Sequence, residues 1–494
     1  MRAVHLVHAA AVLVALGAIG GVAQLGHSAA TPHPASSPAA IRQVPVTAAA
    51  RACPPAPGGG SAPVALLAGA SSVGHAQRGQ SDQVELTALP PAGLAVRAAS
   101  PVRAQSPGAL SLLTLPAAKA TGKQAAGQQG WSVAGGGAMA QGLEAELTQD
   151  SGLASVRCAE PGSDLWFLGP GQQNGGSQVQ LDLMNVDSTA ASVDVSVIND
   201  GGQVQAGNNG ITVPPHQTVT ESLSSVARGS GVVAIEVHTS IGRVAADVSA
   251  ESHGVTSWLP GTAAPSTRLV VPGVPPSGST AGLFLADPGP STAKVTVTAI
   301  TPQGHISPFG SQSVDLPGQS ASYVALSPLG GTTAALQITS NVPVAAAVVV
   351  PGTGPGVLTA ATAPISEQAV VAGNISGDGM DASVLLSAPG AAARVRLTEI
   401  APASAKGASS VIASQVVTVK AGRTLATPVK APKGARHGSA FALVITPLPG
   451  SGPLYAARLE TQGRSSVVSI IPAASALTTI SLPPVRDSYD AISP

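Results

Sequence analysis

Ionisable and aromatic side chains are what this chain has least of. Only 10% of its 494 residues are charged and 2% are Phe, Trp or Tyr. Lys plus Arg equals Asp plus Glu at 24 each, so no global field draws in nucleic acid, and none is expected as a partner. Three Trp, three Tyr and four Phe are too few for the ring platforms that bind sugars. There are only two cysteines, Cys53 and Cys158. Two isolated thiols so far apart make neither a metal site nor a Cys-x-x-Cys redox centre. In an exported chain they are expected to form one structural disulfide.

Recognisable chemistry is also scarce. The histidines beyond the N-terminal segment (His27, His33, His75, His216, His238, His253, His305, His437) are scattered, without the spacing of metal ligands. Gly318-Gln319-Ser320-Ala321-Ser322 departs from Gly-x-Ser-x-Gly at its last residue and follows a strand without a helix, so it reads as a loop. Asp164, Asp182, Asp194 and Asp247 alternate with apolar residues, which places them on the outward faces of strands rather than in the groove a glycosidase needs. Asp378-Gly379-Met380-Asp381 supplies two carboxylates where a good calcium site uses more. The basic run Lys430, Lys433, Arg436 and His437 lies in a Pro/Gly-rich stretch and reads as a solvated loop. No Gly-rich run meets Lys-Ser/Thr and a helix to cradle phosphate. No catalytic residue, metal or cofactor is therefore expected.

What the chain does have is a long apolar start and a recurring strand pattern. Residues 3–25 contain no Asp, Glu, Lys or Arg and follow Arg2. As a helix at 1.5 Å per residue they would extend about 35 Å, enough to cross a hydrocarbon layer of ~30 Å. The segment reads as an uncleaved transmembrane signal-anchor. A cleaved signal peptide with small residues at Ser28-Ala29-Ala30 is the alternative, leading to secretion. Either way the bulk of the chain lies outside the cell membrane. Residues 27–50 are small, Pro-interrupted and aperiodic, and read as a flexible linker.

Residues 164–202 set the pattern. An apolar strand at 165–168 leads through a Gly/Gln/Asn turn to Val179, Leu181 and Leu183, and then to Val193, Val195 and Val197. Such period-two alternation between turn residues is the mark of half-buried antiparallel strands. Leu181/Leu183 with Val193/Val195 recurs as Leu283/Leu285 with Val295/Val297 and as Val384/Leu386 with Val395/Leu397, about a hundred residues apart each time. An eroded copy precedes them, and in its register Cys53 opens the copy and Cys158 lies at its end. The expected architecture is all-β. Behind the helix of residues 1–26 and the linker stand tandem immunoglobulin-like β-sandwich repeats at 51–163, 164–264, 265–365 and 366–475, then a closing strand and tail at 476–494. About seven short strands per copy are expected. A β-propeller is the alternative, with residues 477–482 completing a blade.

The Cys-Pro strand at Cys53, then Cys158, Trp166-Phe167, Leu181-x-Leu183-x-Asn185, Val193-x-Val195, Gly202 and the late Ser-x-x-Pro-Val-x-Ala from Ser340 to Ala346 resemble the domain-of-unknown-function 5719 family, exported proteins of high-GC bacteria. The chain departs from that pattern where the family has Asn-Pro and it has Asn185-Val186, with Asp287-Pro288 only in the next copy. The resemblance implies export and a β-rich ectodomain, and no activity. Trp166 and Phe167, adjacent in a strand, face opposite sides and are expected in core and inter-domain packing. The functional expectation is a non-catalytic, membrane-anchored spacer or protein-binding module with an envelope protein as partner. The rival class is an enzyme, or a subunit activating one, that acts on cell-envelope polymers.

Overall fold

A computed structural model describes residues 42–482 except 57–60, 74–83, 94–101, 104–105, 117–128, 149–154, 173–177, 206–209, 277–280, 309–312, 328, 330, 351–355, 378, 403–410, 436–439 and 464–465. The apolar residues 3–25 thus lie outside the described residues. Among the described residues no helix is long and apolar enough to cross a membrane. Among the described residues the structure is nearly all β, 65% strand and 3% helix.

Strand β1 (Arg42–Pro45) precedes four sets of strands. The first set is β2 (Ala48–Cys53), β3 (Ala62–Leu67), β4 (Val84–Leu89), β5 (Val102–Arg103), β6 (Leu110–Leu115), β7 (Gly130–Gly136), β8 (Glu144–Thr148) and β9 (Ser155–Arg157). The second is β10 (Asp164–Pro170), β11 (Gln178–Met184), β12 (Ala191–Asn199), β13 (Gly202–Gln205), β14 (Ile211–Val213), β15 (Thr218–Ser222), β16 (Val232–Ile241), β17 (Ala245–Ser252), β18 (Val255–Leu259) and β19 (Gly261–Thr262). The third is β20 (Ser266–Val274), β21 (Gly282–Asp287), β22 (Ala293–Ile300), β23 (His305–Ile306), β24 (Val314–Leu316), β25 (Ser320–Ala325), β26 (Ala334–Val350) and β27 (Val357–Ala360). The fourth is β28 (Ala369–Asn374), β29 (Met380–Ala388), β30 (Ala393–Ala401), β31 (Val411–Val419), β32 (Arg423–Val429), β33 (Phe441–Pro447), β34 (Tyr455–Gln462) and β35 (Ser466–Pro472). The final strand, β36 (Thr479–Leu482), pairs only with β1, in a two-stranded ribbon where Gln43 Nε2 donates to Ser481 Oγ at 2.7 Å.

Each set makes two antiparallel sheets. In set 1 these are β2-β7-β4-β5 and β6-β3-β8-β9, and in set 4 β28-β33-β30-β31 and β32-β29-β34-β35. Set 2 has the same order, β10-β16-β12 with β13 and β14 beyond, against β15-β11-β17-β18. The sixth strand in its first sheet, β19, pairs with β10. In set 3 one 17-residue strand, β26, serves both sheets: its first half pairs with β20 and β22, its second with β21 and β27. The sequence around Asn341-Val342-Pro343 is expected to divide two strands. Sets 2 and 4 do turn at this place, on the positive-φ glycines Gly242 and Gly450. Set 3 has no glycine there, and its backbone stays extended.

Alternation explains the core between the two sheets of a set. In set 2, Val179, Leu181 and Leu183 point toward Val193, Val195, Val197, Ile235 and Val237, all buried in one cluster. The outward faces are buried too. Ala52 and Leu89 of set 1 cluster with Met184 and Ala245 of set 2. The set 2 core continues into Phe284, Ala286, Ala345 and Leu358 of set 3, and that of set 3 into Leu385, Ala457, Leu459 and Ile470 of set 4. Val370, Ala372 and Val444 of set 4 meet Ala65 and Leu67 of set 1. Contacts run 1–2, 2–3, 3–4 and 4–1, so the stack of sheets closes on itself.

Three expectations change. The linker read at 27–50 ends in structure, since β1 and the start of β2 fall within it and β2 pairs along β7. Small residues at Ala48, Ala49 and Ala50 fit a sheet edge despite their weak periodicity. The tail strand completes no blade and pairs with β1 instead. Among the described residues sets 1, 3 and 4 have eight strands and set 2 has ten, rather than about seven.

Candidate functional site

The chemistry-bearing side chains that the fold brings together lie where set 1 meets its neighbours. On β8, Glu144 and Glu146 alternate with the core residues Ala145 and Leu147, so both acids point away from the core of set 1. They are nevertheless only 1% exposed. Glu144 accepts two hydrogen bonds from Arg157, at the end of β9, with Nε at 2.8 Å and Nη2 at 2.6 Å. This fork-on-fork geometry is the strongest form of ion pair. Burial works against the Arg157 charge, but the field and hydrogen bonds of Glu144 outweigh it and raise its pKa above the ordinary value. Arg51, on β2, stands 3.7 Å from Glu144 and 3.4 Å from Glu160.

Glu146 crosses into set 4. Its Oε1 takes a 2.5 Å hydrogen bond from Arg458 Nη1, and its Oε2 takes the backbone N–H of Gly373 at 3.0 Å. Arg458 lies on β34, wholly buried, and also donates to Gly373 O (2.8 Å) and Ser469 Oγ (2.7 Å). Gly373 lets the two meet, because a Cβ there would stand 3.0 Å from Glu146 Cδ. Glu460 completes the group, accepting the N–H of Ile375 at 2.7 Å with Arg458 3.6 Å away. Desolvation pushes the Glu460 pKa up, opposed by Arg458.

On the other side of set 1, Asp182 and Asp247 are directly opposite on β11 and β17. Both are buried, at 1% and 5% exposure. The sequence places them on outward strand faces, and they are outward from the core of set 2. That face, with Met184 and Ala245, is covered by set 1. Asp182 accepts from Thr220 Oγ1 at 2.7 Å and Gln180 Nε2 at 3.3 Å, yet desolvation lifts its pKa to about 6. Asp247 is raised well above the ordinary range by desolvation and by Asp182, against the pull of Arg157. Its Oδ2 has no hydrogen-bond partner. Five buried carboxyls (Glu144, Glu146, Asp182, Asp247, Glu460) thus lie near three guanidiniums (Arg51, Arg157, Arg458), and desolvation raises the pKa of Asp182, Asp247 and Glu460.

The disulfide lies beside this cluster. Cys53 and Cys158 are bonded, with Cα atoms 4.2 Å apart. Ala52 and Ala159 exchange two backbone hydrogen bonds at 2.8 Å next to it. The pair joins the edge strand β2 of one sheet to the chain leaving β9 of the other.

The remaining candidates stay scattered. His238 and His305 are exposed strand residues, and His216 and His253 sit at positive-φ turn positions. His27, His33, His75, His437, Arg436 and Asp378 lie outside the described residues. Lys430 and Lys433 are exposed, as is Asp164, while Asp194 is half-buried and accepts from Gly210 N. Ser320 opens β25 and donates to Pro317 O, so the near match to a nucleophile motif is a strand-turn-strand corner. Among the described residues no group of three or more His, Cys, Asp or Glu could hold a metal ion. Trp166 and Phe167 are both buried, on opposite faces of a sheet covered on both sides. Asn185 closes a turn, donating to Thr189 O and Val213 O and accepting from Asp187 N.

The fold and this cluster define an all-β protein of stacked sheets whose buried charges join one set of strands to the next. The chain belongs to DUF5719, a family of unknown function whose model matches residues 116–430, well over half its length. No curated protein matches it.

Proposed function

We propose that the chain is a non-catalytic, extracytoplasmic protein, anchored in the membrane by residues 3–25, whose tandem immunoglobulin-like repeats serve as a cell-surface spacer or protein-binding module for an envelope partner. The observation that carries this reading is the use made of the buried ionisable groups. Glu144 and Arg157 are spent on each other within one sheet, and Glu146 and Arg458 on each other and on backbone groups where set 1 meets set 4. A disulfide-bonded chain with an apolar start also suits an oxidising compartment. Binding specificity then resides in loops and sheet edges, which are free to vary over a constant scaffold.

The rival reading, an enzyme or activating subunit working on envelope polymers, draws on Asp182 and Asp247, an opposed carboxyl pair with raised pKa values. One experiment separates the two. A deletion strain is complemented with a chain carrying His216→Gln, His238→Gln, His253→Gln, His305→Gln, Asp182→Asn and Asp247→Asn together. Full complementation is expected. Failure to complement by a variant that remains folded and exported gives the function to chemistry instead.

A further inference from the structure

The outer edge of the first sheet differs among the four sets. Among the described residues it is short in sets 1 to 3: β5 has two residues, β13 and β14 have four and three, and β23 and β24 have two and three. Short, interrupted edges are a standard protection against unwanted strand pairing. In set 4 the same position is filled by β31, nine residues long and paired to β30 throughout without a register shift. Its sequence, VIASQVVTV, contains no charge and no proline. It ends the sheet, so alternate N–H and C=O groups along it have no partner among the described residues.

The outward face of this edge is partly apolar and flanked by positive charge. Ile412 and Val416 are 40% and 51% exposed. Arg394 and Arg396 on β30 stand directly opposite Thr418 and Val416, on the same face, and both are exposed. Neither makes an ion pair among the described residues. Two unneutralised arginines beside an open, uncharged edge favour a strand carrying carboxylates. They disfavour a second copy of the same edge, which would bring four arginines to one sheet face.

We propose that β31 is a docking edge for an extended acidic segment of a partner protein, which adds as a fifth strand beyond β28-β33-β30-β31 and places Asp or Glu on the face shared with Arg394 and Arg396. Main-chain hydrogen bonds supply the affinity and the arginines the selectivity. The proposal rests on the binding-module reading and names the partner's chemistry.

The test uses the full chain purified in detergent and two pools of 12-residue peptides, one alternating Glu with Val, Ile or Thr, the other with Lys in place of Glu. The Glu pool should bind at least tenfold more tightly, and hydrogen exchange should slow within residues 411–419. Arg394→Glu with Arg396→Glu, two exposed changes, should leave the thermal midpoint unchanged and reverse the preference. Equal binding of both pools, binding of neither, or protection elsewhere overturns the proposal. Self-association of the chain that protects 411–419 without peptide also overturns it, in favour of a second copy. If the site fails while the histidine and aspartate variant still complements, the scaffold reading stands and only this edge is lost.

Discussion

Set 1 is held to its neighbours in a different way from the other three. Where sets 2 and 3 meet, and where 3 and 4 meet, the contact is made by apolar side chains such as Phe284, Leu358, Leu385 and Ile470, with hydroxyl-to-backbone bonds such as Ser257 Oγ to Gly356 O and Thr424 Oγ1 to Ile300 O. Both seams bordering set 1 contain buried ionisable groups, Glu146 with Arg458 toward set 4 and Asp182 with Asp247 toward set 2, and set 1 alone closes its sheet edges with a disulfide. Apolar burial is non-directional and tolerates sliding. Charge-assisted hydrogen bonds fix position and angle. The set that closes the stack, joining the first strands to the last, is where direction matters most.

The disulfide offers the largest way to break this contrast. It closes a loop spanning a sequence separation of 105, for which chain entropy gives about 4–5 kcal/mol. Replacing Cys53 and Cys158 by Ser should therefore lower stability by up to that amount in urea titrations. Adding reductant to the wild type should have the same effect.

Arg458→Ala comes next. It strands Glu146 and Glu460 together in a buried site, and removing one partner of such a pair costs about 3–5 kcal/mol. Thermal unfolding should show the loss, and it should lessen as pH falls and Glu460, whose pKa burial already raises, takes up a proton.

The opposite seam predicts a gain. Because the folded Asp182 has a pKa of about 6 against 3.8 for the free group, the fold binds a proton that the unfolded chain releases. Its contribution is fully present below pH ~4, declines as pH rises toward 6 and is gone above. Two pKa units are about 3 kcal/mol. Asp182→Asn should match or exceed the wild type at pH 7 by up to that amount, and the advantage should vanish near pH 4.

The sheets were legible because alternation at Leu181/Leu183 and Val193/Val195 reports directly on a two-faced strand. The disulfide was legible from the register that puts Cys53 and Cys158 at the two ends of one set. The charge cluster was not. Alternation says which face of β11 carries Asp182, but not that another set covers that face, and Arg458 meets Glu146 from 312 positions away. One local sign existed: Glu144-Ala145-Glu146 and Arg458-Leu459-Glu460 put paired charges among apolar strand residues. Such charges need partners. The length of β31 was hidden for another reason, since VIASQVVTV reads alike as an edge or a central strand.

If the buried charges serve to fit the sets together, their chemistry is dispensable as long as the packing is kept. Replacing Glu146, Arg458 and Glu460 together, as Glu146→Leu, Arg458→Met and Glu460→Leu, tests it most directly, because exchanging a complete buried ion group for apolar residues of similar size is often neutral or stabilising. The measurement is complementation of a deletion strain, with thermal unfolding of the purified variant alongside. The account predicts a folded, exported protein that complements fully. A variant that folds and is exported but fails to complement would contradict it.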